Sequence, residues 1–297
     1  KRYGHQICTL TPMRSESGFS LTELTIVLVI VSLLIALAMP VSTAYMTSEN
    51  RSATTKRIAN IQTALVNFTM ANRRLPCSAN GTLAFDHVDA GKETRDGSGY
   101  CTSNQASGVV PWRTLGMSAA DGTDAWGNQI TYRVGYTLTL DNMLDMSACD
   151  PAGTKAASAG RCDTSAIGGS FVASNYTAPA QYLTNKGLNV SDGASTIMDY
   201  TTTNGAAYVL ISHGENRYGA LVPSTGVLGT AAVGVPGNLE APNQNTAALT
   251  VTAGVPPTLN DAPYRTAAEV TTYFDDIVAY VSVISLVNKA QLGPRAH

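Results

Sequence analysis

Gly18-Phe19-Ser20-Leu21-Thr22-Glu23 opens an apolar run, Leu24 to Met39, whose nature decides the fold. A short polar and basic lead-in stops at the glycine. From Leu24 to Ser48 the chain carries no Asp, Glu, Lys or Arg. A helix rises ~1.5 Å per residue, and ~20 apolar residues cross ~30 Å of hydrocarbon. Phe19 to Pro40 meets that length. Glu23 sits just inside the run. An ionised side chain at a bilayer centre costs at least ~2.5–3.5 kcal/mol, so this carboxylate is a functional candidate.

A secretory signal has a shorter apolar core and ends in small residues. Ala36-Leu37-Ala38-Met39-Pro40 offers a faint version of that ending. The helical pattern nevertheless resumes beyond Pro40. Ile58, Ile61, Leu65 and Phe68 recur at three- and four-residue spacing, one apolar stripe of an amphipathic helix. Phe19 to about Arg74 therefore reads as one helix of about 80 Å, kinked or locally melted near Pro40. The residue before Pro76 leaves helical geometry, which predicts the end at Arg73-Arg74-Leu75-Pro76.

Gly18, Phe19, Glu23 and an apolar helix containing Pro40 together resemble the start of a type IV prepilin or type II secretion pseudopilin. In that family a membrane-embedded aspartyl peptidase cuts after the glycine and methylates the new N-terminal amine. The resemblance implies cleavage between Gly18 and Phe19 and N-methylation of Phe19. Glu23 matches the family's near-terminal glutamate, and Pro40 its mid-helix proline. The implied fold is α+β and pilin-like: a long N-terminal helix packed on an antiparallel β-sheet head with long loops. The implied partners are other pilin or pseudopilin subunits, the prepilin peptidase/methyltransferase and an inner-membrane assembly platform. The implied location is the inner membrane, with the head in the periplasm, and then a filament.

The physics of Glu23 fits that resemblance. In lipid it must neutralise or find a partner, and the amine of a neighbouring subunit's Phe19 supplies one. Such a pair is strong in a low dielectric but costly to desolvate, so it favours one axial register more than raw stability. The plainer alternative is a glutamate marking the headgroup boundary of an ordinary anchor. Pro40, likewise, could be a simple kink.

The remainder divides into a lead-in at 1–18, the helix at 19–74 and a head at 75–297. Met13 is the expected start of a short leader, which leaves Cys8 without a structural role. Lys1, Arg2 and Arg14 precede the apolar run, as expected for a cytoplasmic N-terminus, although Arg51, Lys56 and Arg57 follow it. The net charge is −2 and only 13% of residues are charged, so no electrostatic case for nucleic-acid binding exists. A Gly count of 26, with many Ser, Thr, Asn and Ala, fits a loop-rich exported domain.

In the head, Gly122-Thr123-Asp124-Ala125-Trp126-Gly127-Asn128 leads into Gln129 to Val134, where Ile130, Tyr132 and Val134 share one face. Val109-Val110-Pro111-Trp112 reads as a loop packed by a tryptophan. Both segments resemble Pro-Trp and Asp-x-Trp-Gly-Asn patterns of pseudopilin heads. Further strands are expected at Ala207 to Ser212, Tyr218 to Val222 and Ala247 to Thr252, with a long surface loop over 226–257. Ile277 to Val287 fits either a β-branched strand or a helix.

Cys77, Cys101, Cys149 and Cys162 form an even set in an exported domain, which argues for disulfides. Three connectivities are open, and sequence neighbours, Cys77–Cys101 and Cys149–Cys162, are the expected pairing. Zinc is the alternative, though no Cys-x-x-Cys spacing is present. Asp121, Asp124 and Asn128 could place oxygens around calcium, and the resemblance hints at such a site; turn formation explains them equally well. No other cofactor is expected. Ser212-His213-Gly214 invites a nucleophile–base pair but lacks a Gly-x-Ser-x-Gly elbow and reads as a polar turn. Asp275-Asp276 reads as a solvated turn or helix start. The chain is thus expected to be a structural subunit and no enzyme, with a membrane-anchored binding or hydrolytic domain as the alternative.

Overall fold

The computed structural model describes residues 20–96, 99, 101, 108–147, 182–192, 195–221, 240–243, 258–260 and 274–293, with the backbone alone at 37–43, 136, 241 and 258–260. The chain divides into two compact units, Lys1–Thr47 and Ser48–His297. Helix α1 (Leu21–Asn72) contributes to both.

In the first unit every described side chain from Leu21 to Ala36 is exposed. The backbone stays helical at Pro40, so the local melting expected there is absent. Loss of one intrahelical hydrogen bond does not end a helix of 52 residues.

In the second unit the apolar stripe of α1 meets the head. Ile58, Ile61 and Leu65 are buried, as their spacing predicts. Phe68 is only partly covered; the buried position in that turn belongs to Thr69. The helix stops at Asn72, two residues before Arg74. Arg73 adopts φ 58 and donates its N–H to Thr69 O at 2.7 Å. A left-handed residue closes the last turn before Pro76 can act.

The stripe packs into a core shared with a five-stranded antiparallel sheet. Its strands are β1 (Ala79–Asn80), β2 (Gly108–Val109), β3 (Thr131–Val134), β6 (Ala206–Ser212) and β8 (Ile277–Ser282), in the order β1-β2-β3-β6-β8. A second, three-stranded sheet has the order β5-β4-β7, from β4 (Asn189–Ser191), β5 (Thr196–Met198) and β7 (Thr258–Asn260). β4 pairs parallel with β7 and antiparallel with β5.

Both faces of the main sheet are covered. Tyr132, Val134, Tyr208 and Leu210 join Ile58, Ile61 and Leu65 in one cluster. Val209 and Ile211 join Leu188 and Val190 of the second sheet's side in another. Successive residues of a strand point to opposite faces, so β3 and β6 are buried at every position. The one-sided alternation expected from Ile130, Tyr132 and Val134 is half of the pattern; Thr131 and Arg133 are buried as well.

The C-terminal segment is strand and helix in succession. After β8, Ser282 caps α2 (Val283–Lys289) by accepting the Ser285 N–H at 3.3 Å. The strand expected at Tyr218 to Val222 is a turn over its first residues, with only a bridge at Leu221. Arg217 and Gly219 sit at φ 62 and 79, values that a strand does not use. Residue 222, the strand expected at 247–252 and most of the loop at 226–257 lie outside the described residues. Within that loop, residues 240–243 form a turn leading through the short 3-10 helix Ala241–Asn243.

Candidate functional site

The start of α1 is built by two side chains. The Glu23 carboxylate accepts the Ser20 N–H at 3.0 Å, and the Ser20 hydroxyl accepts the Glu23 N–H at 3.2 Å. This reciprocal pair is the capping box of Ser-x-x-Glu, and it satisfies two N–H groups that a helix start leaves open. The sequence reading missed it, although Ser20 and Glu23 carry the spacing. Beyond the cap, large apolar side chains stand in the open: Leu24 is 56% exposed, Ile26 60% and Leu33 62%. Among the described residues no helix is long and apolar enough to cross a membrane. The exposed run with described side chains, residues 21–36, is shorter than the ~20 residues a span needs. Gly18 and Phe19 lie outside the described residues, as does the Pro40 side chain.

The next stretch of α1 holds the head by polar contacts. Arg57 donates to the carbonyls of Thr123 and Asp124 at 2.8 Å each. The Thr54 hydroxyl accepts the Ala125 N–H at 3.1 Å. At the helix end, Arg74 meets Glu93 through two 2.8 Å hydrogen bonds, and Glu93 also accepts the Cys77 N–H at 3.0 Å. Cys77 is bonded to Cys101, the first of the expected neighbour pairs. Cys149 and Cys162 lie outside the described residues.

The calcium candidates serve turns. Asp124 is buried, and its carboxylate accepts the N–H groups of Trp126 and Asn128 at 3.0 and 2.8 Å and the Ser212 hydroxyl at 2.7 Å. Burial pushes its pKa up against those hydrogen bonds. Asn128 donates to Gly214 O at 3.3 Å and accepts from Arg217 at 3.0 Å. Asp121 is tied instead to Ser118, whose hydroxyl and N–H lower its pKa.

Ser212 and His213 are fully buried and turn to different partners. Ser212 goes to Asp124, while His213 Nε2 lies 2.9 Å from the Thr131 hydroxyl. No described hydrogen bond joins the two, so the pair is a packed strand end.

Asp275-Asp276 is not a solvated turn. Both residues are buried, and with Glu240 they form a cluster of three buried carboxylates. Peptide N–H groups and asparagine amides around them replace water as donors. The doublet ahead of a β-branched strand was the only sequence signal, and Glu240 lies too far along the chain to be linked to it by spacing.

Residues 13–39 match the prokaryotic N-terminal methylation motif. This is the prepilin-type cleavage and methylation signal. No curated protein and no solved structure matches the chain. The motif spans Gly18, Phe19, Glu23 and the start of α1, ending at Met39 just before Pro40. It implies processing by a prepilin peptidase and assembly with pilin subunits in general. The capping box and the exposed apolar run therefore lie within the matched segment, while the head lies beyond the match.

Proposed function

We propose that the chain is a pilin-like structural subunit of a type IV pilus or type II secretion pseudopilus. The observation that carries this is the methylation motif leading into a helix whose apolar side chains, from Leu24 onward, stand uncovered. Such a surface needs lipid or other helices around it. On this account the leader 1–18 is removed and Phe19 becomes a methylated N-terminus. Residues 19–74 form the membrane and spine helix, and residues 75–297 form the exported, disulfide-bonded head. The head's size suits a minor or tip subunit.

Before assembly, Phe19 to Met39 rests in the inner membrane. On assembly, packing against the same helix of neighbours replaces lipid contact. Glu23 then meets the Phe19 amine of the next subunit. A carboxylate has two oxygens and about four acceptor positions, so Glu23 can hold the Ser20 cap and an amine together. Its charge sets the stagger, and the cap keeps the helix start formed while it does so.

The test is incorporation. In cells carrying a matching assembly system, the processed chain should appear in the sheared filament fraction. A processed chain that stays wholly in the membrane fraction under those conditions would contradict the subunit role.

A further inference from the structure

Glu240, Asp275 and Asp276 each place one carboxylate oxygen within 4.8 Å of the others. The three residues are 0%, 3% and 4% exposed. They come from the turn at 240–243 and from the two residues ahead of β8. Three ionised carboxylates at this spacing repel one another strongly away from water. Arg51 donates to the backbone carbonyl of Asp275 at 3.0 Å.

A group of acids alone says little, but a second feature points to a ligand. Asp276 Oδ1 and His213 Nδ1 are buried, lie 3.7 Å apart and have no hydrogen-bond partner among the described residues. The His213 ring is fully buried, and its Nε2 lies 2.9 Å from the Thr131 hydroxyl. Four other carboxylate oxygens of the group accept hydrogen bonds, Glu240 Oε1 from the Asp275 N–H at 2.9 Å. Asn216 Nδ2 donates to Glu240 at 2.8 Å, and Asn243 Nδ2 donates to Asp276 Oδ2 at 2.7 Å. The N–H groups of Glu215 and Asn216 donate to Asp275 Oδ2 at 2.8 and 3.0 Å. Neutral donors that orient carboxylates from behind are the usual surroundings of a metal's ligands.

We propose that Glu240, Asp275 and Asp276 bind one calcium-sized divalent cation, which ties the turn at 240–243 to the start of β8. The oxygen-only donor set suits a hard cation. Two oxygens across one calcium ion stand ~4.6–5.2 Å apart, against ~4.0–4.2 Å for magnesium. A set of oxygens within 4.8 Å of one another admits either ion, and the buried, water-poor site favours calcium, because magnesium gives up its waters reluctantly. The cation supplies positive charge among the buried acids, and Asp276 Oδ1 gains its missing partner. The backbone and amide donors already fix the orientation of all three carboxylates, so little reorganisation accompanies binding.

The test uses the full chain in detergent after chelator treatment, with calcium chloride as the probe. Titration calorimetry should find one equivalent bound, and Tm should rise by about 3–10 °C at ~10 mM calcium, as for a millimolar-class exported site. Magnesium at the same concentration should give a clearly smaller shift. Asp276→Asn and Glu240→Gln should each remove the calcium shift while leaving Tm in chelator unchanged or higher, because each removes a repelling charge. A purely structural carboxylate would instead lower Tm in chelator. No calcium-dependent shift in the wild-type chain, an equal shift with magnesium, or an undiminished shift in Asp276→Asn would overturn the proposal.

Discussion

Arg74 and Glu93 are joined by two parallel hydrogen bonds of 2.8 Å, at the point where α1 gives way to the head. The guanidinium also lies 5.1 Å from the Phe68 ring centre. The Glu93 hydrogen bond and charge raise the Arg74 pKa against the effect of burial. This ion pair fixes the helix end to the disulfide-bonded loop, since Glu93 holds the Cys77 N–H too. Glu93→Ala leaves the buried guanidinium with the exposed Asp141 carboxylate at 3.4 Å and the Leu75 carbonyl at 3.2 Å, and it frees the Cys77 N–H. We expect a loss of on the order of 2–4 kcal/mol, read as a lower urea midpoint at unchanged m-value.

The Cys77–Cys101 bond closes a loop of sequence separation 24. Its removal by the Cys77→Ser and Cys101→Ser double substitution should cost ~3–4 kcal/mol in the chain-entropy account. Denaturant unfolding measures this directly. Non-reducing peptide mapping should also recover Cys149 crosslinked to Cys162. Alkylation of either as a free thiol would contradict that second pairing.

Ser20 and Glu23 separate capping from charge. Ser20→Ala removes one half of the cap, worth ~1 kcal/mol locally, and should leave filament incorporation in place. Glu23→Gln keeps the capping box, because glutamine also accepts the Ser20 N–H. It removes the charge, and incorporation should fall to background while cleavage persists. Wild-type incorporation of Glu23→Gln would show that capping alone suffices.

The buried acids make stability depend on pH. Burial pushes Glu240 up to about 7 and Asp276 well above its ordinary value. Facing them are Asp275, His213 and, through the Asp275 carbonyl, Arg51. A carboxyl whose pKa rises on folding favours the fold below its unfolded value and loses that contribution as pH climbs through its folded value. In chelator, Tm should therefore fall between about pH 5 and pH 8. Saturating calcium should flatten the decline. A Tm that rises across this window in chelator would contradict the assignment.

How much of this was legible in the sequence depends on range. Ile58, Ile61 and Leu65 showed their burial through spacing alone, because a helix face repeats locally. Cys77 and Cys101 were matched as neighbours. Ile277 to Val287 carried both periods because it is both elements in turn. Phe68 misled, since the face rotates and Thr69 takes the buried position. Tyr218 to Val222 looked like a strand by composition, but Arg217 and Gly219 adopt positive φ. The Asp275-Asp276 doublet looked solvated because adjacent carboxylates are rarely buried, even between apolar residues such as Phe274 and Ile277. Its true surroundings, Glu240, His213, Asn216 and Asn243, are distant in the chain, and no local pattern records them. Nor did composition show that residues of the second sheet's side cover Val209 and Ile211, which removes the expected one-sided alternation.

The most direct test of the central claim is the intact mass of the membrane-extracted chain, with and without a co-expressed prepilin peptidase. The account predicts a peptidase-dependent species that begins at Phe19 and carries one added methyl group. A chain that keeps Gly18 in the presence of the peptidase, or one cut near Pro40, would contradict it.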